Sequence, residues 1–242
     1  MIAVQTKSLT KKYKSKTAVD SISLEVEKGE LFALLGVNGA GKTTTIRMLC
    51  CLSTPTDGEA FIDGISCINA PTKVKEKIGI SPQETSVAEN LTVRENLEFI
   101  AAVYGFDKEK TQNSVKEMIS LFKMDEVENS RAKTLSGGWK RKLSIAMALI
   151  SEPSVLFLDE PTLGLDVLSR RELWKAIESL KGKITIIMTT HYMEEAEHLA
   201  DRIGIMIKGK IAALGTLSEI EQIAGKNGLE ESFIEIAERS EL

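Results

Sequence analysis

A chain of 242 residues with 43% hydrophobic and 27% charged residues has the size and composition of a globular protein of one or two domains. The formal net charge of −4 gives no reason to expect nucleic acid as a partner. The first residues, MIAVQTKSLTKKYK, lack the apolar core of a signal peptide, and no run approaches the roughly 20 apolar residues that span a bilayer. We therefore expect a soluble chain in which any membrane role comes from a partner.

Strands that flank a glycine-rich loop are predicted in the first third of the chain. Polar and apolar residues alternate in SISLEVEKGE at 21–30, which indicates a half-buried strand that ends in a turn. LFALL at 31–35 is a short continuous apolar run, typical of a buried parallel strand. A glycine-rich loop and a helix follow, and AFIDG at 60–64 and KIGISPQ at 77–83 are further candidate strands.

Three cysteines lie in this part of the chain. Cys50 and Cys51 fall in the predicted helix, and Cys67 follows at a spacing that matches no zinc pattern. Because three is an odd number for a disulfide framework, we expect free thiols that pack as small apolar residues. Unpaired thiols also fit a reducing cytosol.

The pattern is helical from about residue 88 to 150 and then returns to strands. In WKRKLSIAMALI, Trp139, Leu143, Met147 and Ile150 share one helix face. VLFLD at 155–159 and TIIMTTH at 185–191 are predicted strands, and IGIMIKGKIAALG at 203–215 is typical of a hairpin that turns at Gly209. Strands that alternate with helices predict an α/β fold with a parallel sheet, here with a helical subdomain inserted at about 84–150.

The charge is concentrated at the end of the chain. Residues 217–242 hold seven acidic residues against Lys226 and Arg239, a net charge of −5, so residues 1–216 sum to about +1. We expect one domain at 1–216 and an acidic C-terminal extension at 217–242. A solvated, partly helical segment and a docking element are the two alternatives for this extension.

GVNGAGKT at 36–43 matches the phosphate-loop pattern G-x-x-x-x-G-K-[ST], directly after a predicted strand and at the start of a predicted helix. Glycines let the backbone N–H groups surround the phosphates of ATP, Lys42 reaches the β- and γ-phosphates, and the Thr43 hydroxyl can ligate Mg²⁺. A glycine-rich strand-to-helix turn without a ligand is the structural alternative. The residues expected around the phosphates are Gly36, Asn38, Gly39, Ala40, Gly41, Lys42, Thr43 and Thr44.

Two acidic residues follow the predicted strand VLFLD. Asp159 ends this strand, at the edge where ligands gather on open α/β sheets, and can hold Mg²⁺ through water. Glu160, one residue later, can orient and deprotonate an attacking water. Two ordinary surface charges are the alternative.

Three further residues are weaker candidates. Gln83 ends a predicted strand, and its amide can contact Mg²⁺ or the attacking water. His191 ends TIIMTTH and can donate a hydrogen bond to the γ-phosphate, although a core histidine is the alternative. Tyr13 precedes the phosphate loop and can stack on adenine, a contact of about 1–3 kcal/mol by analogy with base–aromatic stacking, or else belong to the core.

LSGGWKRK at 135–142 has the composition of a second phosphate-binding turn. Ser136, Gly137 and Gly138 have short side chains, which leave backbone N–H groups free to face an anion at a helix start. A single small domain with two phosphate-binding turns needs an explanation.

The order of Tyr13, GVNGAGKT, Gln83, LSGGW, VLFLDE, GLD and His191 resembles the nucleotide-binding domain of ABC transporters over nearly all of residues 1–216. The resemblance implies a P-loop NTPase fold: a RecA-like parallel sheet core, an antiparallel β subdomain and an inserted helical subdomain. It also implies an ATPase with ATP and Mg²⁺, in which Thr43, Gln83 and Asp159 are the metal-site residues, with Asp159 acting through water. Glu160, His191 and Lys42 are then the catalytic residues.

The resemblance explains the second turn, because two such domains pair head to tail. Ser136, Gly137 and Gly138 then serve the ATP held by the partner, which is a second copy or a paralogue, and Asp166 lies at the dimer seam. Two residues depart from the commonest pattern. Trp139 replaces a glutamine, which affects ribose-side contacts, and Val167 replaces a proline after the aspartate.

The segments MLCCLSTPTDGEAFIDG, HYMEEAEHLADRI and LEESFIEI are most similar to the ATPases of drug, antibiotic and lipid exporters. This implies a separate transmembrane permease, contacted through residues 84–105, and a position at the cytoplasmic face of the cell membrane. The alternative is a soluble ABC ATPase that acts on ribosomes or nucleic acid. A non-hydrolysing nucleotide sensor is a third possibility, against which Glu160 and His191 argue.

Overall fold

The computed structural model describes residues 1–14 and 16–240. The strands of the described residues are β1 Ile2–Tyr13, β2 Lys16–Glu27, β3 Leu31–Leu35, β4 Asp57–Ile62, β5 Ile65–Ser66, β6 Ile78–Ser81, β7 Val155–Asp159, β8 Thr185–Thr190, β9 Arg202–Ile207 and β10 Lys210–Gly215. The helices are α1 Lys42–Leu49, α2 Pro71–Lys75, α3 Val93–Val103, α4 Lys108–Leu121, α5 Gly137–Leu149, α6 Val167–Glu178, α7 Met193–Leu199, α8 Leu217–Ala224 and α9 Leu229–Arg239.

A six-stranded sheet with the order β10-β9-β3-β8-β7-β6 forms the centre of the molecule. Five of its strands are parallel, and β10 returns antiparallel to β9 in the predicted hairpin. Every residue of β3 and β7 is buried, because both faces of a central parallel strand are covered. The predicted α/β class with a parallel sheet is confirmed.

The side chains of β3 show how the layers are arranged. Leu31, Ala33 and Leu35 pack into a core that contains helices α3 to α9, whereas Phe32 and Leu34 pack into a second core on the opposite face. The second core contains α1 and the smaller sheet. Successive side chains on a strand point to opposite faces, so the central sheet lies between a helical layer and a layer that is mainly β.

The smaller sheet is antiparallel, with the order β2-β1-β4-β5. Its first strand, β1, was not predicted from the sequence, because its alternation changes phase. The pairing of β1 with β2 shifts register between Thr6 and Leu9, and Ser8 in between has a φ of 47°. A bulge of this kind moves the buried positions from one parity to the other, which removes the period-2 signal.

The segment between β6 and β7 is helical. Thr92 and Glu95 form a capping box at the start of α3, and Asp107 caps α4 through the backbone N–H of Lys110. The buried Asn96 side chain accepts from Ala88 N and donates to backbone carbonyls of the same loop, which orders the entry to the segment. In the part of the chain that the structure describes, no helix has the length and apolar character needed to cross a bilayer.

Residues 217–240 are packed against the rest of the chain rather than solvated throughout. Ile220, Ala224, Leu229, Phe233 and Ile236 of α8 and α9 are buried in the same core as the central sheet. Their spacing places them on one face of each helix, while the acidic residues occupy the other face. The predicted boundary at 216 stays a prediction, and residues 241–242 of the extension, like residue 15 of the predicted domain, lie outside the described residues.

The three cysteines are free thiols, but Cys50 and Cys51 do not lie within a helix as predicted. Helix α1 ends at Leu49, Cys50 is its C-cap, and Cys51 has a φ of 55°, which ends the helical conformation. Burial raises the pKa of all three thiols, that of Cys67 to about 12.

Candidate functional site

The loop between β3 and α1 depends on its glycines. A Cβ on Gly36 would lie 2.5 Å from the carbonyl oxygen of Met206, and a Cβ on Gly41 would lie 2.4 Å from that of Ala18. Gly41 also has a φ of +113°, and Gly39 has a φ of +82°. The backbone therefore follows a path that side chains would prevent, which is the requirement of a loop that wraps an anion.

Lys42 lies inside this loop at the first position of α1. Its Nζ donates to the carbonyl oxygen of Gly36 at 2.7 Å and lies 3.1 Å from Glu160 Oε1. Ala40 is buried below the loop, and its carbonyl oxygen accepts from Gly209 N at 2.9 Å. The N–H groups of the first helical turn have no partner within a helix, so this end of α1 offers donors beside a buried ammonium group.

Asp159 and Glu160 stand at the end of β7, where the central sheet presents its carboxyl edge. Asp159 Oδ1 accepts from Thr189 Oγ1 at 2.5 Å and from Thr43 Oγ1 at 3.2 Å. Glu160 N donates to Thr189 Oγ1 at 3.0 Å, and the φ of Glu160 is 49°. A positive φ in a glutamate is a strained conformation of the kind found at functional sites.

His191 follows β8 and contacts the same glutamate. Its Nδ1 is hydrogen-bonded to Glu160 Oε2, and because a carboxylate accepts, the proton is assigned to Nδ1. Its ring packs on Tyr192 with the centroids 4.1 Å apart. Glu160 is therefore held between a lysine and a histidine, with its side chain only 6% exposed.

These residues border a cavity of about 540 Å³, within the range of small-molecule sites. The sequence-predicted residues that line it are Tyr13, Asn38, Gly39, Gly41, Lys42, Thr43, Thr44, Gln83, Glu160 and His191. Gly36, Ala40 and Asp159 are buried behind this lining. Tyr13 is 48% exposed, so part of its ring is accessible. Lys16, Ala18 and Leu163 also line the cavity and were not predicted.

Ser136, Gly137 and Gly138 lie elsewhere on the surface and do not line this cavity. Ser136 is the N-cap of α5, where its Oγ accepts from Trp139 N at 3.5 Å. Asp166 has a local contact of its own, because its carboxylate accepts from the N–H groups of Leu168 and Ser169 and caps α6. The structure thus separates the second turn from the first loop of the same chain.

The residues predicted for Mg²⁺ have suitable chemistry. Thr43, which lines the cavity, has its Oγ1 3.2 Å from Oδ1 of the buried Asp159, and Gln83 also lines the cavity. A hydroxyl, a carboxylate and an amide are oxygen ligands of the type that Mg²⁺ takes together with phosphate. Thr43 and Asp159 therefore fit the ion.

Three buried charged residues in the described part of the chain were not predicted from the sequence; Lys142 pairs with Glu172 away from the cavity, and the other two lie close to the site. Arg141 on α5 is 4% exposed, and Glu195 on α7 is fully buried. Both stand in strongly charged stretches, RK and EEAEH, which are typical of exposed helix faces. For Glu195, the one signal in the sequence was its position on the helix. It lies next to Ala196 and four residues before Leu199, both of which are buried.

Glu195 packs below the catalytic candidates. Its Oε1 accepts from Trp174 Nε1 at 3.2 Å, while Oε2 has no partner among the described residues. Burial raises the pKa of Glu195, and the hydrogen bond from Trp174 and the nearby hydroxyl groups of Thr190 and Thr162 oppose this shift. A buried carboxyl in this position links α7, which follows His191, to α6, which follows Asp166.

Known proteins are similar to this chain over most of its length. A family model described as ABC transporter matches residues 19–163. The daunorubicin/doxorubicin resistance ATP-binding protein DrrA of Streptomyces peucetius is 39% identical over 228 residues, which cover 94% of this chain and 69% of DrrA. The human phospholipid-transporting ATPase ABCA3 is 42% identical over 212 residues, 88% of this chain. The chain spans only 12% of the length of ABCA3.

Solved structures show the same architecture. A structure described as the ATP binding subunit of an ABC transporter superposes with a TM-score of 0.87 at 30% identity, covering 97% of this chain and 99% of that one. A dimeric structure of the ATP-binding cassette MJ0796 bound to ADP and Pi has a TM-score of 0.80 at 27% identity, covering 88% of this chain and 98% of that one. With the phosphate loop, the paired acids and the second turn in place, this chain belongs to the ABC transporter family and is one of its ATP-binding ATPase domains.

Proposed function

We propose that this chain is the ATP-hydrolysing subunit of an ABC exporter, and that it works as a dimer on a separate membrane permease. The names of two relatives, a drug-resistance protein and a phospholipid transporter, support export of a hydrophobic or amphipathic compound. The observation that carries the proposal is the division of phosphate-binding elements between a cavity and a distant exposed turn of the same chain.

Hydrolysis relies on residues around the cavity. Glu160 is the general base that takes a proton from the attacking water, and its carboxylate is held by Lys42 and His191. Lys42 compensates the charge of the transferring phosphoryl group together with the N–H groups of the loop. His191 lines the cavity, so its ring joins Glu160 to the position of the terminal phosphate. Tyr13 at the rim stacks on adenine.

The metal site consists of Thr43, Asp159 and Gln83. A Mg²⁺ ion held there would supply positive charge that offsets the negative charge of the ATP phosphates. Thr189 holds the carboxylate of Asp159 through a 2.5 Å hydrogen bond, and this contact fixes the orientation of the acid. Gln83 stands at the junction between β6 and the helical segment, so the amide can report on nucleotide at the place where that segment begins.

Ser136, Gly137 and Gly138 complete the site of a partner subunit. Gly137 adopts ordinary helical backbone angles, and a Cβ there would meet nothing within 4 Å among the described residues. The packing of this chain therefore gives no reason for a glycine, whereas a phosphate from outside would need close access to the backbone. Asp166 and the exposed Leu168, which is 75% accessible, lie at the proposed seam.

The permease contact is proposed at the helical segment. A cavity of about 420 Å³ is lined by Leu52, Ile100, Tyr104 and Met147 among others, and Phe99 on α3 is 56% exposed. Apolar residues that cluster at the surface support an interaction site at this position. Pro82, the neighbour of Gln83, also lines this cavity. A cytoplasmic helix of the permease bound here would therefore be displaced when the segment that contains Gln83 moves. We therefore propose that the chain works at the cytoplasmic face of the cell membrane.

The mass of the Glu160→Gln variant in light scattering, with and without Mg²⁺ and ATP, tests the paired site. We expect a shift from one chain to two with ATP, since the slow variant retains its nucleotide. Adding Ser136→Arg should prevent the shift and leave ATP bound to the single chain. A single chain that binds ATP without pairing would contradict the proposed dimer. Loss of ATP binding in Ser136→Arg would contradict the assignment of this turn to the partner's site.

A further inference from the structure

Arg141 on α5 is a buried cation whose hydrogen bonds all go to backbone carbonyl groups. Its Nε donates to the carbonyl of Pro161 at 2.8 Å, and one terminal nitrogen donates to that of Asp159 at 2.7 Å. The other terminal nitrogen donates to Pro82 and, at 3.3 Å, to Gln83. The guanidinium group therefore contacts four carbonyl oxygens from two segments.

These two segments carry the nucleotide-site residues of the same chain. Pro82 and Gln83 follow β6 and lead into the helical segment, and Asp159 and Pro161 flank the catalytic candidate Glu160 at the end of β7. Arg141 itself belongs to α5, the helix that Ser136 caps. One planar group thus joins three elements, and a planar fork with five donors is the side chain suited to such a junction.

The charge of Arg141 is retained although the side chain is buried. A guanidinium group stays protonated in proteins, and here its donors are directed at backbone carbonyl oxygens. A buried charge that loses its partners is costly. If either of the two segments that hold Arg141 moves, Arg141 has to follow in order to keep its hydrogen bonds, and α5 then moves with it.

The distance to the second turn is short. Five residues separate Arg141 from Ser136 on one continuous helix, which corresponds to about 7 Å along the axis. A helix of this length moves as a unit, so a displacement at Arg141 is passed to residues 136–138. No side-chain contact between the cavity and the turn is needed.

We propose that Arg141 is a positioning residue that couples the nucleotide cavity of its own chain to the turn at 136–138, which that chain offers to its partner. Nucleotide contacts at Gln83 and Asp159 adjust the carbonyl groups that hold Arg141, and α5 then sets the turn. This inference rests on the proposed dimer and adds a route by which one half-site affects the other.

Arg141→Met removes the four hydrogen bonds at similar volume, and Lys142→Met is its matched control. Lys142 is the next residue of α5 and is equally buried, but its Nζ pairs with Glu172 Oε2 at 2.7 Å and lies 4.3 Å from the centre of the Trp139 ring. It therefore contacts the start of α5 without holding any carbonyl group at the cavity. We expect Arg141→Met to leave the ATP affinity of the single chain within about threefold of the wild type. We expect its kcat to fall by about 10²-fold, as for a misplaced catalytic group, and its Hill coefficient for ATP to approach 1. Arg141→Lys should recover part of the kcat.

The outcomes separate this inference from the proposed function. An Arg141→Met variant with the kcat and Hill coefficient of Lys142→Met would overturn the coupling role while the wild type still pairs and hydrolyses ATP. A wild type that does not bind or hydrolyse ATP would instead contradict the proposed function itself. A loss in ATP affinity as large as the loss in kcat would show that Arg141 only shapes the cavity.

Amide hydrogen exchange of the wild type tests the coupling independently, in case Arg141→Met does not fold. A non-hydrolysable ATP analogue with Mg²⁺ is added at a protein concentration where light scattering shows one chain. We expect slower amide exchange in residues 136–142 on nucleotide binding, with α8 as the unaffected reference segment. Unchanged exchange in 136–142, with nucleotide bound, would overturn the coupling.

Discussion

The substitution Glu160→Gln removes one negative charge and keeps the shape of the side chain. Loss of a general base lowers turnover by about 10²–10⁴-fold, and we expect at least the lower figure for kcat. The hydrogen bonds of Glu160 N to Thr189 are unaffected, so the end of β7 keeps its conformation. The change therefore isolates the carboxylate.

The same variant should bind ATP at least as tightly as the wild type. Lys42 Nζ is 3.1 Å from Glu160 Oε1, and at an effective dielectric constant of about 20 the gross attraction of this pair is about 5 kcal/mol. Phosphate competes with this carboxylate for Lys42 and is repelled by it. Glutamine weakens the competition and removes the repulsion, so the dissociation constant should stay equal or fall.

Phosphate release measures kcat, and titration calorimetry with Mg²⁺ and ATP measures affinity. Glu172→Gln is the control, because it removes a carboxylate that also pairs with a buried lysine, Lys142, but lies outside the cavity. This control should keep the wild-type kcat. A Glu160→Gln variant with a kcat within about threefold of the wild type would refute the general-base assignment, since a base contributes at least about 10²-fold.

Three further changes have defined outcomes. Lys42→Ala should weaken ATP binding by at least about tenfold, as expected for a lost charge-assisted contact of about 1.5–3 kcal/mol, and unchanged affinity in calorimetry would contradict the loop assignment. Gly79→Ala should destabilise the fold by about 1–3 kcal/mol in urea unfolding, because its Cβ would lie 2.2 Å from the carbonyl oxygen of Ala148; equal stability would refute this close approach. The pKa of Glu195 is raised from 4.5 by burial, so the folded wild type holds this proton more tightly than the unfolded chain. Its stability should therefore fall as the pH rises above about 4.5, whereas Glu195→Gln should lack this component, and identical pH profiles of unfolding would show that Glu195 is not the group concerned.

The central strands were predictable from sequence because one physical cause dominates them. LFALL and VLFLD are buried on both faces, so their composition alone predicts strands. Asp159 ends β7, and Glu160 and His191 are the first residues after β7 and β8. Chain order then brings these residues to one edge of the sheet. Much of the candidate site follows from this rule.

Other features lacked a sequence signal. The bulge at Ser8 interrupts the alternation of buried and exposed residues along β1. The two-residue period of a strand is therefore not recognisable over its whole length. Arg141 binds backbone carbonyl groups, which every residue supplies, so no partner side chain appears in the sequence to mark it. Glu195 lies on a charged helix whose buried side is narrow. Contacts with backbone or across elements depend on tertiary packing and are absent from local patterns.

The three native thiols have a practical consequence for studies of motion. Cys50 and Cys67 are buried, and all three cysteines have a raised pKa, so little reactive thiolate is present at neutral pH. A single cysteine introduced at the exposed Leu168 can therefore accept a maleimide spin label or fluorophore at pH 7 without removing the native residues. Pairs of such labels would report the separation of the two subunits of the proposed dimer through a catalytic cycle, in a protein that keeps its own core intact.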